Sequence, residues 1–346
     1  MRYFHSLDSF RFLAFFLVFV HHFPFQNDSV FKKIAESGGL GVQLFFILSG
    51  FLITSIILNE KEKKGDFKIK NFLIRRILRI WPLYFAMVFF AFVTPYILQF
   101  LSVSTSDDGY EPNWLFSLLF LENYQMMITN MFPNVSPLTV MWSLCIEEHF
   151  YIFWGVIFYF LNRKQIGIFL IGSIIFSLIT RVIYSKIGIL DLDLFSNMIY
   201  FSSGGLLAYI LQFYSDKIEI LDQINPILKR IIALLIVIGY WSIPNLKINT
   251  IILEPLMICI STILLLGFTL SSRNPIKISD KNVFNRLGKY TYGMYLFHTI
   301  WINLLMKFID NNFVLFLSSL ICTIVSSMIS YYYFESYFLK FKHYFR

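Results

Sequence analysis

Ten stretches of the chain are predominantly apolar runs, most of them near 20 residues long. They are centred on residues 9–25, 40–58, 81–101, 142–161, 166–184, 195–213, 231–243, 250–270, 290–309 and 313–334. A hydrocarbon core leaves backbone polar groups no water to bond, so an apolar run of about 20 residues predicts a membrane helix. The seventh run is short. Residues 114–127 (WLFSLLFLENYQMM) form only a partial apolar run, open to reading as a re-entrant or interfacial piece or as a further span.

Composition points the same way. Of 346 residues 57% are hydrophobic and 14% charged, with a mean hydropathy of +0.65. That excludes a soluble globular enzyme, a disordered chain and a solenoid. The expected fold is an all-α, polytopic integral membrane bundle of about ten transmembrane helices, with residues 1–346 forming a single membrane-embedded domain. The net charge of +8 raises nucleic acid as a partner, but in a membrane protein it first marks loops held on the cytoplasmic side, and nucleic acid is set aside. With both termini cytoplasmic, the inside segments hold 22 of the 29 Lys and Arg residues, and the outside loops only Lys32, Lys33, Lys186 and Lys247. The connection 102–141 has no Lys or Arg and carries Asp107, Asp108, Glu111 and Glu122, as an outside loop should. Cys145, Cys259 and Cys322 show neither pairing nor ligand spacing, so no disulfide framework and no metal is expected. The first run carries Asp8 and Arg11 and ends in His21-His22-Phe23-Pro24 without a small-residue cleavage site, which reads as a retained helix. No internal repeat of the transporter kind and no GxxxG stripe stands out.

Ionisable groups inside spans are costly, which makes each a candidate for function. Arg11 and His22 stand 11 residues apart, which returns to within about 20° of one helix face at a separation of about 16 Å. One face thus carries a cation near the cytoplasm and an imidazole deep in the membrane. The plainer alternative has Arg11 snorkelling to the interface and His22 satisfied in the bundle core. Glu147 and Glu148 open the fourth span within Trp142–Tyr151, as a helix-dipole device or as the orienting partner of a histidine on a neighbouring helix. In the basic run Lys61–Tyr84, Arg76 and Arg79 are placed three residues apart just before a span, so both guanidinium forks point one way. This suits anionic headgroups or, more sharply, the phosphates of a nucleotide-like cofactor. Gly38-Gly39-Leu40-Gly41 opens the second span and permits close backbone approach, without being a P-loop or dinucleotide fingerprint.

Over its entire length the chain resembles the membrane acyltransferase-3 family, the integral-membrane O-acyltransferases that decorate bacterial surface sugars. Leu7–Ala14 looks like the opening motif, and Arg11 followed after ten residues by His22 matches the Arg-x10-His signature. Gly41–Thr54 resembles the second-helix motif, Arg76-Ile77-Leu78-Arg79 the Arg-x-x-Arg pair, Trp142–Tyr151 the fourth-span block and Leu287–His298 the late tyrosine-rich block. Departures are Gln43 where an acidic residue is common, His149 where Gln is usual, and Glu335-Ser336-Tyr337 where a proline often follows the acid. The chain resembles the stand-alone form that lacks an appended extracytoplasmic domain.

The resemblance implies a multi-pass enzyme of the bacterial cytoplasmic (inner) membrane that moves an acyl group, acetyl by family habit, from cytoplasmic acyl-CoA to a hydroxyl of an extracytoplasmic or lipid-linked glycan. Arg76 and Arg79 would hold the CoA phosphates. His22 would take the hydroxyl proton or carry the acyl group itself, and Glu147 or Glu148 would orient it if the fourth span packs beside the first. Arg11 would line the donor path or stabilise charge on the thioester oxygen. Membrane lipid and the glycan are the expected partners, and a homo-oligomer stays open. The alternative from another class is a transporter or flippase for a lipid-linked sugar or small acid, with His22 and Glu147/Glu148 as a proton relay.

Overall fold

The computed structural model describes residues 6–25, 32, 35–100, 109–242, 249–271 and 282–345. Among them ten helices of 15 residues or more follow in order: α1 (Ser6–His22), α2 (Leu40–Lys64), α3 (Ile69–Phe100), α4 (Trp142–Phe160), α5 (Arg163–Ile187), α6 (Leu194–Phe213), α7 (Pro226–Ser242), α8 (Leu253–Leu270), α9 (Thr291–Leu305) and α10 (Asn312–Ser330). Each apolar window coincides with one of them. Six, namely α2, α3, α5, α6, α8 and α10 with its continuation to Phe345, are long and apolar enough to cross a membrane. Of the others, α1, α7 and α9 have 17, 17 and 15 residues, and α4 carries Glu147, Glu148 and His149 in its second turn. The protein is an all-helical membrane protein. Arg2, Lys33, Asp107, Asp108, Lys247, Arg273, Lys277, Lys281 and Arg346, which entered the charge balance, lie outside the described residues.

The largest boundary difference is at α3, expected from residue 81 and found from Ile69. Leu, Arg and Lys, all strong helix formers, make up half of Ile69–Ile80, but the charged ones break the apolar run that marks the rest of the span. Pro82 and Pro95 sit inside the helix.

The chain forms two compact units. The first comprises the described parts of Met1–Phe67, Phe160–Ser185 and Phe195–Thr291. Lipid tails give helices no hydrophobic reason to associate, so close contact must hold them, and glycines supply it. A Cβ on Gly38 would strike the Leu17 carbonyl and one on Gly41 the Ala14 carbonyl, so α1 and the start of α2 cross backbone to backbone. Gly50 of α2 and Gly204 of α6 meet the Phe201 and Ile47 carbonyls in the same way, with Phe46 and Phe201 stacked beside them at 4.6 Å between centroids. Gly204→Ala is therefore expected to cost at least about 1–3 kcal/mol by overpacking. A lowered unfolding midpoint in detergent checks this, with Gly172→Ala, where nothing lies within 4 Å of the added carbon, as the control that is not lowered.

The second unit comprises the described parts of Lys68–Tyr159, Lys186–Leu194 and Tyr292–Arg346. Here α3 and α4 run antiparallel: Phe72 lies against Gly155, the Trp81 indole donates to Glu148 at 3.2 Å, and the Tyr84 hydroxyl is 3.8 Å from Cys145 Sγ. From α9 the Tyr292 hydroxyl donates to the Ile80 carbonyl at 2.7 Å, and Tyr295 is 2.6 Å from the Ser143 hydroxyl. Past α10 the chain makes a π-helical turn over Tyr331–Glu335 and a short helix over Ser336–Lys340. Arg75 Nη1 then donates to the Phe345 carbonyl at 2.6 Å.

The partial apolar run resolves into two short helices of the second unit, Trp114–Leu118 and Glu122–Thr129. At about 7.5 and 12 Å neither can cross a bilayer core. They fold into a hairpin whose turn residue Phe120 is left-handed at φ 57, a conformation that costs an L-residue about 1–2 kcal/mol. The Phe120 ring offsets that cost by stacking on Tyr84 at 4.0 Å and packing against Trp81 at 5.7 Å. Glu122, fully buried, accepts hydrogen bonds from the Tyr110 and Ser117 hydroxyls, each at 2.5 Å. Burial pushes its carboxyl above the usual carboxylate range and the two hydrogen bonds oppose that shift.

Candidate active site

In the first unit, α1 supplies Arg11 and His22. Arg11 does not stand alone: its Nη1 is 3.1 Å from an Asp8 carboxylate oxygen one turn earlier. Asp8 is itself held where Gly288 lets the backbone approach. His22 is the last residue of α1 and its ring is exposed at the protein surface. Its Nδ1 lies 2.9 Å from the Val18 carbonyl. A carbonyl only accepts, so Nδ1 carries the hydrogen, and in the neutral ring the lone pair sits on Nε2. His21 turns the other way, with its Nδ1 3.0 Å from the Ala35 carbonyl.

In the second unit, α3 and α4 bring Arg76, Arg79, Glu147 and Glu148 together. The antiparallel register sets Arg76 beside the second and third turns of α4, not clear of it as a juxtamembrane arginine would be. Its guanidinium lies 5.9 Å from the Tyr151 ring and 5.8 Å from that of Phe72, and within electrostatic reach of Glu148. Glu148 is buried. One of its oxygens takes the Trp81 indole hydrogen, and the other has no hydrogen-bond partner among the described residues. Glu147 accepts from the Tyr151 hydroxyl at 3.0 Å. The expected action of the glutamates on His22 would join residues of two units, whereas their place against Trp81, Tyr151 and Arg76 lies within one. His149, the second imidazole, faces the Tyr124 ring of the hairpin at 5.5 Å. Among the described residues no three His, Cys, Asp or Glu side chains converge as a metal site requires.

A family model described as an acyltransferase domain matches residues 4–332. The chain belongs to the acyltransferase-3 family. Among similar curated proteins is one of Staphylococcus aureus (strain COL) named "Putative O-acetyltransferase", 29% identical over 321 residues, which are 86% of this chain and 50% of that protein. Another is the peptidoglycan O-acetyltransferase of Listeria monocytogenes, 35% identical over 159 residues, 44% of this chain and 24% of that protein. The chain therefore spans about half the length of the first of these relatives and matches a smaller share of the second. No solved structure matches.

The site residues expected from the resemblance to the acyltransferase-3 family thus fall in two places: Arg11 and His22 along α1, and Arg76, Arg79, Glu147 and Glu148 between α3 and α4. Sequence reading placed Tyr151 in the Trp142–Tyr151 block but did not join Trp81 and Tyr292 to it, and it noted Glu335 only as a departure from the family pattern. Glu335 stands directly after the last apolar stretch, 313–334, where nothing in the sequence sets it apart from an acid at a span end.

Proposed function

We propose that this protein is an O-acyltransferase of the bacterial cytoplasmic membrane, multi-pass with both termini inside. It transfers an acyl group from acyl-CoA to a hydroxyl of a cell-envelope glycan. Acetyl is the group its relatives are named for, and peptidoglycan is the acceptor in the name of the Listeria protein. The observation that carries the reading is the His22 ring, exposed at the end of α1 with Nδ1 committed to the Val18 carbonyl. That leaves Nε2 as the basic atom. Nε2 takes the hydroxyl proton as the oxygen attacks the thioester carbonyl, the carbon–sulfur bond breaks, and the proton passes to the departing CoA thiolate. Arg76 and Arg79 take the donor's phosphates, for which bidentate forks are suited. Glu147 and Glu148 hold Tyr151, Trp81 and Arg76 in place. Arg11, braced by Asp8, stabilises the charge that develops on the thioester oxygen.

The test is mass spectrometry of envelope glycans from cells with and without the gene, together with transfer by purified protein in bilayers supplied with acetyl-CoA. The expected result is one ester group fewer per modified sugar in the deletion strain. Glycans of unchanged mass, with vesicles that move a sugar or acid without altering it, would replace this reading with transport.

A further inference from the structure

The buried residues of α10 are Leu315, Ser319, Thr323 and Ser327. In an unbroken α-helix Glu335 would point about 140° away from the mean direction of that buried row. The π-helical turn over Tyr331–Glu335 inserts one extra residue and brings it back to within about 40°. Glu335 accordingly is only 4% exposed, while Tyr332, Tyr333 and Phe334 of the same turn are exposed. The turn aims one carboxylate inward, at a place where a charge needs partners. It finds the Ser330 hydroxyl, which donates to its Oε1 at 3.3 Å, and two cations within electrostatic reach, Arg79 from α3 and Lys342 from the chain's last turn. Tyr292, bonded to the Ile80 carbonyl next to Arg79, lies within electrostatic reach of the same carboxylate.

Resting on the reading that Arg79 binds donor phosphates, we infer that Glu335 is a positioning residue. From the π turn it holds the Arg79 guanidinium in the orientation that accepts a phosphate of the acyl-CoA donor.

The sign of one effect decides this. A carboxylate that merely stood near a polyanion site would repel the ligand, and neutralising it would tighten binding. A carboxylate that orients the arginine does the opposite. CoA binding is measured by calorimetry on the full chain in nanodiscs, for the wild type and for Glu335→Gln, Glu335→Asp, Arg79→Ala and Arg79→Ala with Glu335→Gln. The expected result is a Kd raised about tenfold by Glu335→Gln, largely restored by Glu335→Asp, with no further loss when Glu335→Gln is added to Arg79→Ala. Should Glu335→Gln fail to fold, deletion of the exposed Tyr333 restores the α-helical phase, turns Glu335 outward and is expected to give the same weakening. Unchanged or tighter binding in Glu335→Gln or the deletion variant, or losses that simply add, would overturn the role of Glu335 and leave the donor site standing. Wild-type affinity in Arg79→Ala would instead remove the donor reading, and this inference with it.

Discussion

Replacing His22 by alanine is expected to cut acyl transfer by about 10²- to 10⁴-fold, the usual worth of a positioned general base. The variant should still fold. His22 is exposed and ends α1, so the truncation opens no core cavity, and the neighbouring bond of His21 to the Ala35 carbonyl remains. Expression, membrane insertion and CoA binding at wild-type levels, with transfer lost, is the expected pattern. His22→Gln is the sharper variant, because an amide can occupy the space and bond the Val18 carbonyl without offering a basic nitrogen. Undiminished transfer by either variant would rule out His22 as the base.

The second large effect is expected for Arg76→Ala combined with Arg79→Ala. A hydrogen bond to a charged group is worth about 1.5–3 kcal/mol, so losing one at each arginine weakens CoA binding about 100-fold or more. Arg76→Ala also strips the buried Glu148 of a nearby cation, so a loss of stability accompanies the loss of affinity. Arg76→Lys separates the two effects: it keeps the charge beside Glu148 and removes the fork, so the fold is expected to survive while donor affinity falls. Isothermal titration with CoA reads the affinity and thermal unfolding reads the fold. An unchanged affinity in the double variant would refute the donor assignment.

The hydrophobic helices were legible because one property, the length of an apolar run, decides them without reference to the rest of the chain. Each apolar window therefore found its helix. What a window cannot show is where a helix goes once it turns polar, and so the arginine-bearing first turns of α3 were read as a juxtamembrane segment. The hairpin at 114–127 was ambiguous for a related reason. Its left-handed turn at Phe120 is not encoded by a glycine but imposed by stacking on Tyr84, a residue far away in sequence. The candidate site was legible where chemistry repeats at short spacing, as in Arg11 with His22 and Arg76 with Arg79. It was not legible where one residue acts through tertiary placement. Nothing local distinguishes Glu335 from an acid at a span end, because its inward aim depends on an extra residue in the turn before it. Trp81 likewise carries no local sign of its role, and only the antiparallel register of α3 and α4 reveals its bond to Glu148.

That register has a consequence for how the second unit communicates along its length. Phe120 at the tip of the hairpin presses on Trp81, Trp81 bonds Glu148, and Glu148 faces Arg76. Three side chains thus link the connection between α3 and α4 to the guanidinium group of Arg76, which lies beside the middle of α4. Anything that displaced the hairpin would therefore be felt at Arg76 through side chains alone, about 7.5 Å along α3 from Trp81, without any movement of whole helices.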